Sequence, residues 1–235
     1  MPSSAYAVES AKPRLVVSRP ESAPGLDYFA ICGRLLPICY PRGTQLCMEG
    51  HQADGVFALC DGRAKESVTS DRGKTAILRI AFPGDLIGLE AVIGNTTYTT
   101  TVETIDAARA YFINRRDLLG AIRCDESFRS AVAAQLSERC RRAYNDIRSF
   151  AFAQSVPARV AHFLLNWRQD GSNAKPGPSL CMNLTHEEIG QAIGSTRETV
   201  SRIVSSFRRK GWIRITGIHW KIEDRDSLVA LVARG

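Results

Sequence analysis

The sequence predicts an α+β protein with a strand-rich N-terminal part, one long helix and a compact C-terminal module of short helices. Three observations predict this order. Short β-favouring segments alternate with glycines over residues 36–115, a glycine-poor stretch with one apolar stripe follows, and two short amphipathic segments joined by a glycine lie near the C-terminus. With 235 residues, 44% of them apolar, the chain can form one large domain or two small ones.

The N-terminal segment, residues 1–25, is rich in proline and serine and lacks apolar periodicity, which predicts a flexible tail. It has no basic patch followed by an apolar run, so no export signal is predicted. No apolar run in the sequence reaches the length of a membrane span, and we expect no membrane partner. The chain is therefore expected to be cytoplasmic, with reduced cysteines.

A domain of short strands is predicted over residues 26–122. Segments 56–60, 75–80 and 110–113 favour β-structure, and the spacing between glycine turns is typical of a sandwich or barrel. Asp61-Gly62 and Arg72-Gly73 are predicted to be tight turns, because glycine adopts a positive φ without a steric penalty.

A dimerisation helix is predicted within residues 123–155. Its helical part, roughly residues 126–152, would be about 40 Å long at a rise of about 1.5 Å per residue. Apolar or small residues recur every three or four positions and form one narrow stripe: Phe128, Val132, Leu136, Cys140, Ala143 and Ile147. A long helix with one such stripe commonly packs on its own copy, which predicts a homodimer. The alternative is that the stripe packs only on the chain's own β-domain.

The net charge of +7 is concentrated at the C-terminal end of the chain. Residues 156–235 contain 12 basic and 7 acidic residues, whereas residues 1–123 contain 14 and 13. Such an excess is typical of a module that binds a polyanion. A solvated basic face is the alternative that charge alone leaves open.

Residues 156–235 contain the pattern of a winged helix-turn-helix. Thr185 and Glu188 form a predicted capping box, and Gly194 is placed to end the short helix that follows. Ser195 or Thr196 then caps a second helix, whose inner stripe is Val200, Ile203, Val204 and Phe207. Residues 212–222 are predicted to form a β-hairpin wing.

The second helix has side chains suited to DNA. On its exposed side we expect base-reading residues, because arginine can donate to guanine and glutamate can accept from cytosine: Arg197, Glu198, Ser201 and Arg202. Hydroxyls at helix starts and one further arginine are expected to contact phosphates: Thr185, Ser195, Thr196 and Arg208. The predicted partner is double-stranded DNA. An ordinary helical hairpin with a charged face is the alternative.

The C-terminal part resembles the helix-turn-helix of the cAMP receptor protein/FNR family. Residues 188–194 (EIGQAIG) and 197–202 (RETVSR) match its motif, and residues 41–44, 49–54, 61–63 and 82–88 resemble its cyclic-nucleotide-binding-type β-roll. The resemblance covers roughly residues 36–230. It implies an N-terminal β-roll sensor domain, homodimers on palindromic sites with half-site centres about 34–36 Å apart, and contacts with RNA polymerase. Glu198, Ser201 and Arg202 imply a TTGAT-like half-site, whereas Arg197 implies a TGTGA-like one.

The resemblance also locates an effector pocket at four residues of the β-roll: Gly88, Glu90, Tyr98 and Thr99. Family members that bind cAMP have Gly-Glu before a loop and Arg-Ser after it. Here Glu90 stands one place late, and Tyr98-Thr99 replaces Arg-Ser. No arginine or lysine lies between Arg79 and Arg109, and a cyclic phosphate buried without a cation is costly. We therefore expect that cAMP does not bind in the family manner.

No cofactor or metal is predicted. An FNR-type iron–sulfur cluster requires clustered N-terminal cysteines, but residues 1–31 contain none and the spacing of Cys32, Cys39 and Cys47 does not match. The seven cysteines include no C-x-x-C pair. The four histidines are isolated in the sequence, although haem ligation by one of them is left open. Cys140 is expected to be a packing residue.

An enzyme is not predicted, because the sequence has no Gly-x-Ser-x-Gly, no phosphate-binding loop and no His-Glu-x-x-His. The alternative function is a β-roll module that binds a ligand or a protein, with C-terminal helices that serve assembly only. Salt-sensitive binding to duplex DNA would separate the two hypotheses.

Overall fold

The computed structural model describes residues 36–151, 155–167 and 179–234. The predicted tail, residues 1–25, lies outside these ranges. The strands in chain order are β1 (Ile38–Tyr40), β2 (Gln45–Cys47), β3 (Gly55–Asp61), β4 (Ala64–Thr69), β5 (Thr75–Ala81), β6 (Leu86–Ile87), β7 (Thr101–Thr104), β8 (Ala108–Asn114), β9 (Ser179–Cys181), β10 (Ile213–Thr216) and β11 (His219–Ile222). The helices are α1 (Leu89–Gly94), α2 (Arg115–Cys124), α3 (Glu126–Ala151), α4 (Val156–Asn166), α5 (His186–Ile193), α6 (Arg197–Arg209) and α7 (Arg225–Arg234).

Two four-stranded antiparallel sheets form the N-terminal β-roll. Their strand orders are β1-β8-β3-β6 and β2-β7-β4-β5. The two sheets enclose an apolar core that includes Val56, Leu59 and Ile113. The three β-favouring segments of the sequence lie in β3, β5 and β8, which confirms their predicted structure. Gly62 and Gly73 have φ of 76° and 75°, as the predicted turns require.

The long helix α3 begins at Glu126 and is described to Ala151, in agreement with the helix predicted over residues 126–152. Asp125 precedes it, and its carboxylate accepts a hydrogen bond from the Phe128 amide at 2.9 Å. The N-terminal half of α3 packs against the β-roll core through Phe128, Val132 and Leu136. Gln135 strengthens this contact, because its amide donates to the Gly84 carbonyl at 2.7 Å.

The described residues of the C-terminal part form four helices and a three-stranded sheet of order β10-β11-β9. Pro157 lies in the first turn of α4, where no helical N–H is lost, and Ser155 caps that helix. Strands β10 and β11 form the predicted wing, with Gly217 in their turn at φ 59°. Strand β9 extends the wing sheet, and the sequence did not predict that pairing.

The two halves of the chain share an apolar contact. Ile77, Ile80 and Phe82 of the β-roll belong to the same buried cluster as Trp167, Leu180 and Ile189 of the C-terminal part. The rings of Phe82 and Trp167 meet edge to face, with centroids 6.2 Å apart. The helix-turn-helix is therefore docked on the sheet that contains β4 and β5.

None of the helices in the described ranges is both long enough and apolar enough to cross a bilayer.

Candidate nucleic-acid interface

The first helix of the helix-turn-helix, α5, begins at a complete capping box. The Thr185 hydroxyl accepts from the Glu188 amide at 3.1 Å, and the Glu188 carboxylate accepts from the Thr185 amide at 2.8 Å. The helix ends at Gly194, whose φ of 67° is the left-handed conformation that favours glycine. The sequence therefore predicted both ends of this helix, because each depends on residues within one turn.

The second helix, α6, begins at Arg197 and is capped by Thr196, whose hydroxyl accepts from the Thr199 amide at 3.3 Å. Of the two predicted caps, Ser195 or Thr196, the structure selects Thr196. The predicted inner stripe is buried: Val200, Ile203, Val204 and Phe207. This burial directs the opposite side of the helix toward solvent.

The predicted base-reading residues lie together on that outer side of α6. Arg197, Glu198 and Arg202 are exposed, and Ser201 is half-buried. Arg208 is also exposed, one to two turns farther along the helix. An exposed helical face with two arginines, a glutamate and a serine offers donors and acceptors that match base edges in a major groove.

The residues predicted to contact phosphates differ in whether their hydroxyl groups already have hydrogen-bond partners. Thr185 uses its hydroxyl within the capping box, where it also donates to Glu188 at 3.1 Å. Thr196 likewise bonds to the Thr199 hydroxyl at 3.1 Å. A phosphate accepts hydrogen bonds and does not donate them, so these two hydroxyls must leave their present partners to contact one. Ser195 is half-buried in the turn.

His186, one of the four histidines that are isolated in the sequence, contacts Ser201 on the outer side of α6. Its Nδ1 lies 2.7 Å from Ser201 Oγ, and its ring meets Trp220 of the wing edge to face at 6.1 Å between centroids. Burial, followed by the charge of Arg197, lowers the pKa of His186. No sequence signal links residues 186 and 201, because they lie on different helices.

A polar contact joins the β-roll to α5. Lys65 Nζ on β4 lies 2.7 Å from Glu188 Oε1 and 3.1 Å from Glu103 Oε1. Burial alone would raise the pKa of Glu188, but the hydrogen bonds from Lys65 and Thr185 outweigh it and lower that pKa. The capping-box carboxylate of α5 is thus paired with a lysine of the β-roll.

A second polar contact lies beside the first. Arg63 donates to Asp106 at 2.5 Å and to the Cys181 carbonyl at 2.6 Å, and its guanidinium lies over the Trp167 ring at 5.2 Å. Asn183 also donates to Asp106. Burial would raise the pKa of Asp106, but the hydrogen bonds from Arg63 and Asn183 outweigh it and lower that pKa.

The residues predicted to line an effector pocket contact one another. Gly88 precedes α1 with a φ of 78° and packs against the Tyr98 ring. The Tyr98 hydroxyl donates to the Gly55 carbonyl at 2.6 Å, and the buried ring is 8% exposed. Thr99 is exposed and its hydroxyl lies 3.5 Å from Glu90 Oε1.

Arginines lie near these residues in the fold, although the sequence has none between Arg79 and Arg109. Arg139 of α3 donates to Glu90 at 2.5 Å and to the Leu86 carbonyl, although 49 residues separate it from Glu90. Nearby, Arg79 is paired with Glu66 at 2.5 Å and with Asp85 at 2.9 Å. Burial, followed by the charge of Arg79, lowers the pKa of Arg139. The sequence between Arg79 and Arg109 contains no arginine, but the fold brings Arg139 of α3 to Glu90, which lies within that interval.

The predicted dimer stripe on α3 divides into two halves. Phe128 and Val132 are 3% and 4% exposed and belong to the β-roll core, and Leu136 packs against the same core. The β-roll of the same chain already covers Phe128 and Val132, which leaves little of either side chain for a dimer contact, whereas Leu136 is half-buried. Cys140 and Ala143 are exposed, and Ile147 is 61% exposed beside Tyr144 at 64%. Cys140 is therefore not a packing residue within the chain.

In the part of the chain that the structure describes, no group of three or more histidine, cysteine or acidic side chains could hold a metal ion.

Two family models match the chain. The model of the Crp-like helix-turn-helix domain matches residues 158–231, and the model of the cyclic nucleotide-binding domain matches residues 37–125. The first match contains α5, α6 and the wing, and the second contains the β-roll.

Curated relatives match along most of the chain. It is 30% identical over 200 residues to the CRP-like cAMP-activated global transcriptional regulator of Mycobacterium tuberculosis, covering 85% of this chain and 89% of that protein. It is 24% identical over 208 residues to the cAMP-activated global transcriptional regulator CRP of Escherichia coli, covering 86% of this chain and 96% of that one. Both relatives are described as transcriptional regulators.

Solved structures share the fold. FixK2 from Bradyrhizobium japonicum matches with a TM-score of 0.74 at 22% identity, covering 84% of this chain and 96% of that one. A CRP-family transcriptional regulator from Thermus thermophilus matches with a TM-score of 0.68 at 24% identity, covering 83% of this chain and 96% of that one. These likenesses support the arrangement of β-roll, long helix and helix-turn-helix.

Proposed function

The chain belongs to the CRP/FNR family of DNA-binding transcription regulators, and on that premise we propose that it acts as a homodimer that reads a palindromic DNA site with α6. The single observation that supports this most is the exposed outer face of α6, where Arg197, Glu198 and Arg202 reach solvent while the inner stripe is buried. Two such faces would lie in successive major grooves, with half-site centres about 34–36 Å apart.

The half-site is proposed to be TTGAT-like or TGTGA-like. Glu198, Ser201 and Arg202 favour the first, and Arg197 favours the second. Arg197, Glu198 and Arg202 are exposed on the outer side of α6 and Ser201 is half-buried there, which supports base contacts through this face. Contacts with RNA polymerase are proposed from family membership alone.

Dimerisation is proposed to use the C-terminal half of α3. Tyr144 and Ile147 expose 64% and 61% of their surface and follow the exposed Cys140 and Ala143 along the helix. Apolar side chains at this spacing are typical of a helix that packs on its copy. The N-terminal half of α3 is proposed only to anchor the helix to the β-roll.

Effector control through the β-roll is proposed to use a ligand other than cAMP, or none. Arg139 and Arg79 supply positive charge at the pocket, but carboxylates of the chain already pair with both. A cyclic phosphate would have to displace these carboxylates, and burying them unpaired is costly. An iron–sulfur cluster is likewise not proposed.

The test is sequence-specific DNA binding by the full-length chain. A library of randomised duplexes selects the preferred site, and fluorescence anisotropy then compares that site with a scrambled duplex as salt rises. The Arg202→Ala variant is expected to lose about 5- to 150-fold in affinity for the selected site, which corresponds to about 1–3 kcal/mol. Arg116→Ala, an exposed arginine on α2 of the β-roll, serves as the control and should bind like wild type. Equal affinity for selected and scrambled duplexes would refute the proposal.

A further inference from the structure

His186 is held between the wing and the recognition helix. It is the first residue of α5, and its ring packs edge to face against Trp220, which is 5% exposed in β11. On the other side, Nδ1 lies 2.7 Å from the hydroxyl of Ser201, in the second turn of α6. The contact is therefore made by a ring whose position is fixed by packing rather than by a freely rotating side chain.

His186 Nδ1 and Ser201 Oγ lie 2.7 Å apart, a distance at which either atom can be the donor. A neutral ring with its proton on Nε2 accepts at Nδ1 from the serine hydroxyl, and readout through the Ser201 lone pairs requires this tautomer. Burial and the charge of Arg197 lower the pKa of His186, so the ring is neutral near pH 7 and has one nitrogen able to accept.

A hydroxyl that donates to His186 has lost its only hydrogen for other partners. Serine has one donor and two acceptor positions, so Ser201 then offers only lone pairs to a groove. In the major groove, amino donors are present on cytosine at N4 and on adenine at N6, whereas guanine offers acceptors at N7 and O6. The direction of the hydroxyl therefore selects among bases.

We propose that His186 is a positioning residue for base readout, which restricts Ser201 to accepting hydrogen bonds from base amino groups. The inference rests on the proposed function, because it requires α6 to lie in the major groove. It assigns to a residue of the first helix a part in sequence preference, and it predicts adenine or cytosine at the base that Ser201 contacts.

The experiment compares base preference among variants of the full-length chain, using the same library of randomised duplexes. Ser201→Ala identifies the base-pair step that Ser201 reads. His186→Phe keeps a ring against Trp220 but removes the acceptor, so discrimination in favour of adenine or cytosine at that step should fall by about 5-fold, the size of one neutral hydrogen bond. His186→Asn should retain the preference, because its amide oxygen can accept near the position of Nδ1.

The double variant His186→Phe, Ser201→Ala supplies the decisive comparison. It should have the same preference as Ser201→Ala alone, because His186 acts only through that hydroxyl. The proposal is overturned if wild type prefers guanine or thymine at that step, if His186→Phe leaves the preference unchanged, or if it changes the preference equally in the Ser201→Ala background. His186→Leu replaces His186→Phe if circular dichroism shows that the latter is unfolded.

The same experiment separates this inference from the proposed function. If Arg202→Ala abolishes selection of the site while His186→Phe has no effect, DNA readout stands and the role of His186 is refuted. If wild type selects no sequence, both proposals fail together.

Discussion

Lys65 on strand β4 and Glu188 on helix α5 form an ion pair of 2.7 Å across 123 residues of sequence. Glu188 Oε1 faces the lysine, while Oε2 accepts from the Thr185 amide and completes the capping box. One carboxylate therefore joins the β-roll to the first turn of the helix-turn-helix. Both side chains are 17% exposed, so the pair is well shielded from solvent.

Replacing Lys65 should loosen that junction. In Lys65→Met the Glu188 carboxylate keeps its backbone partner but loses its charged one, and we expect the free energy of unfolding to fall by about 1–3 kcal/mol. Chemical denaturation measures the change, and hydrogen exchange at the α5 amides locates it. Lys74→Met, at an exposed lysine beside β5, is the matched control and should change stability little. Equal stability of the two variants would contradict this prediction.

The junction should also weaken in acid. Glu188 and Asp106 have lowered pKa values in the folded chain, so their stabilisation is present above the unfolded pKa, about 4, and is lost as the pH falls through the folded values. We expect the melting temperature of wild type to drop more steeply below about pH 4 than that of Glu188→Gln. If the melting temperatures of wild type and Glu188→Gln fall in parallel as the pH is lowered, protonation of Glu188 does not weaken the junction.

Titration with cAMP should give no saturable signal in the micromolar range. The Glu90 carboxylate is paired with Arg139 at 2.5 Å, and the buried Tyr98 stands where the resemblance places the arginine of cAMP binders. Isothermal titration calorimetry measures the binding. The Escherichia coli regulator, described as cAMP-activated, is the positive control. Micromolar affinity in this chain would show that the carboxylates yield to the ligand.

The two halves of the α3 stripe should respond differently to truncation. Phe128→Ala removes a core side chain that is 3% exposed, and we expect a loss of about 3–5 kcal/mol in unfolding free energy. Ile147→Ala, at a residue that is 61% exposed, should leave the subunit fold intact and shift the equilibrium from dimer to monomer. Chemical denaturation measures the first effect and sedimentation equilibrium the second. A wild-type chain that sediments as a monomer would refute the dimer contact.

Phosphate and base contacts should separate by their salt dependence. Arg208→Ala is expected to weaken binding to the selected and the scrambled duplex equally. It should also reduce the slope of log affinity against log salt by about 1, as for one lost phosphate contact. Arg202→Ala should mainly reduce discrimination between the duplexes. Fluorescence anisotropy at several salt concentrations measures both quantities. A loss of discrimination in Arg208→Ala would reassign that arginine to base readout.

The helix-turn-helix was predictable because its determinants are local. The capping box needs only Thr185 and Glu188, the turn needs Gly194, and the inner stripe repeats every three or four residues within α6. The turns at Gly62 and Gly73 were predictable for the same reason. Each of these features depends on backbone geometry within a few residues, which amino-acid type controls directly.

The sequence therefore determined by itself the long helix, the helix-turn-helix with its capping box and the wing, and only the tertiary structure decided which elements meet. Packing of α3 on the β-roll buried Phe128 and brought Arg139 to Glu90, 49 residues away. Docking of the helix-turn-helix likewise brought Lys65 to Glu188. The stripe that covers a core and the stripe that faces a partner have the same apolar period. Periodicity gives the face of a helix, but only the position of the neighbouring elements determines what covers it.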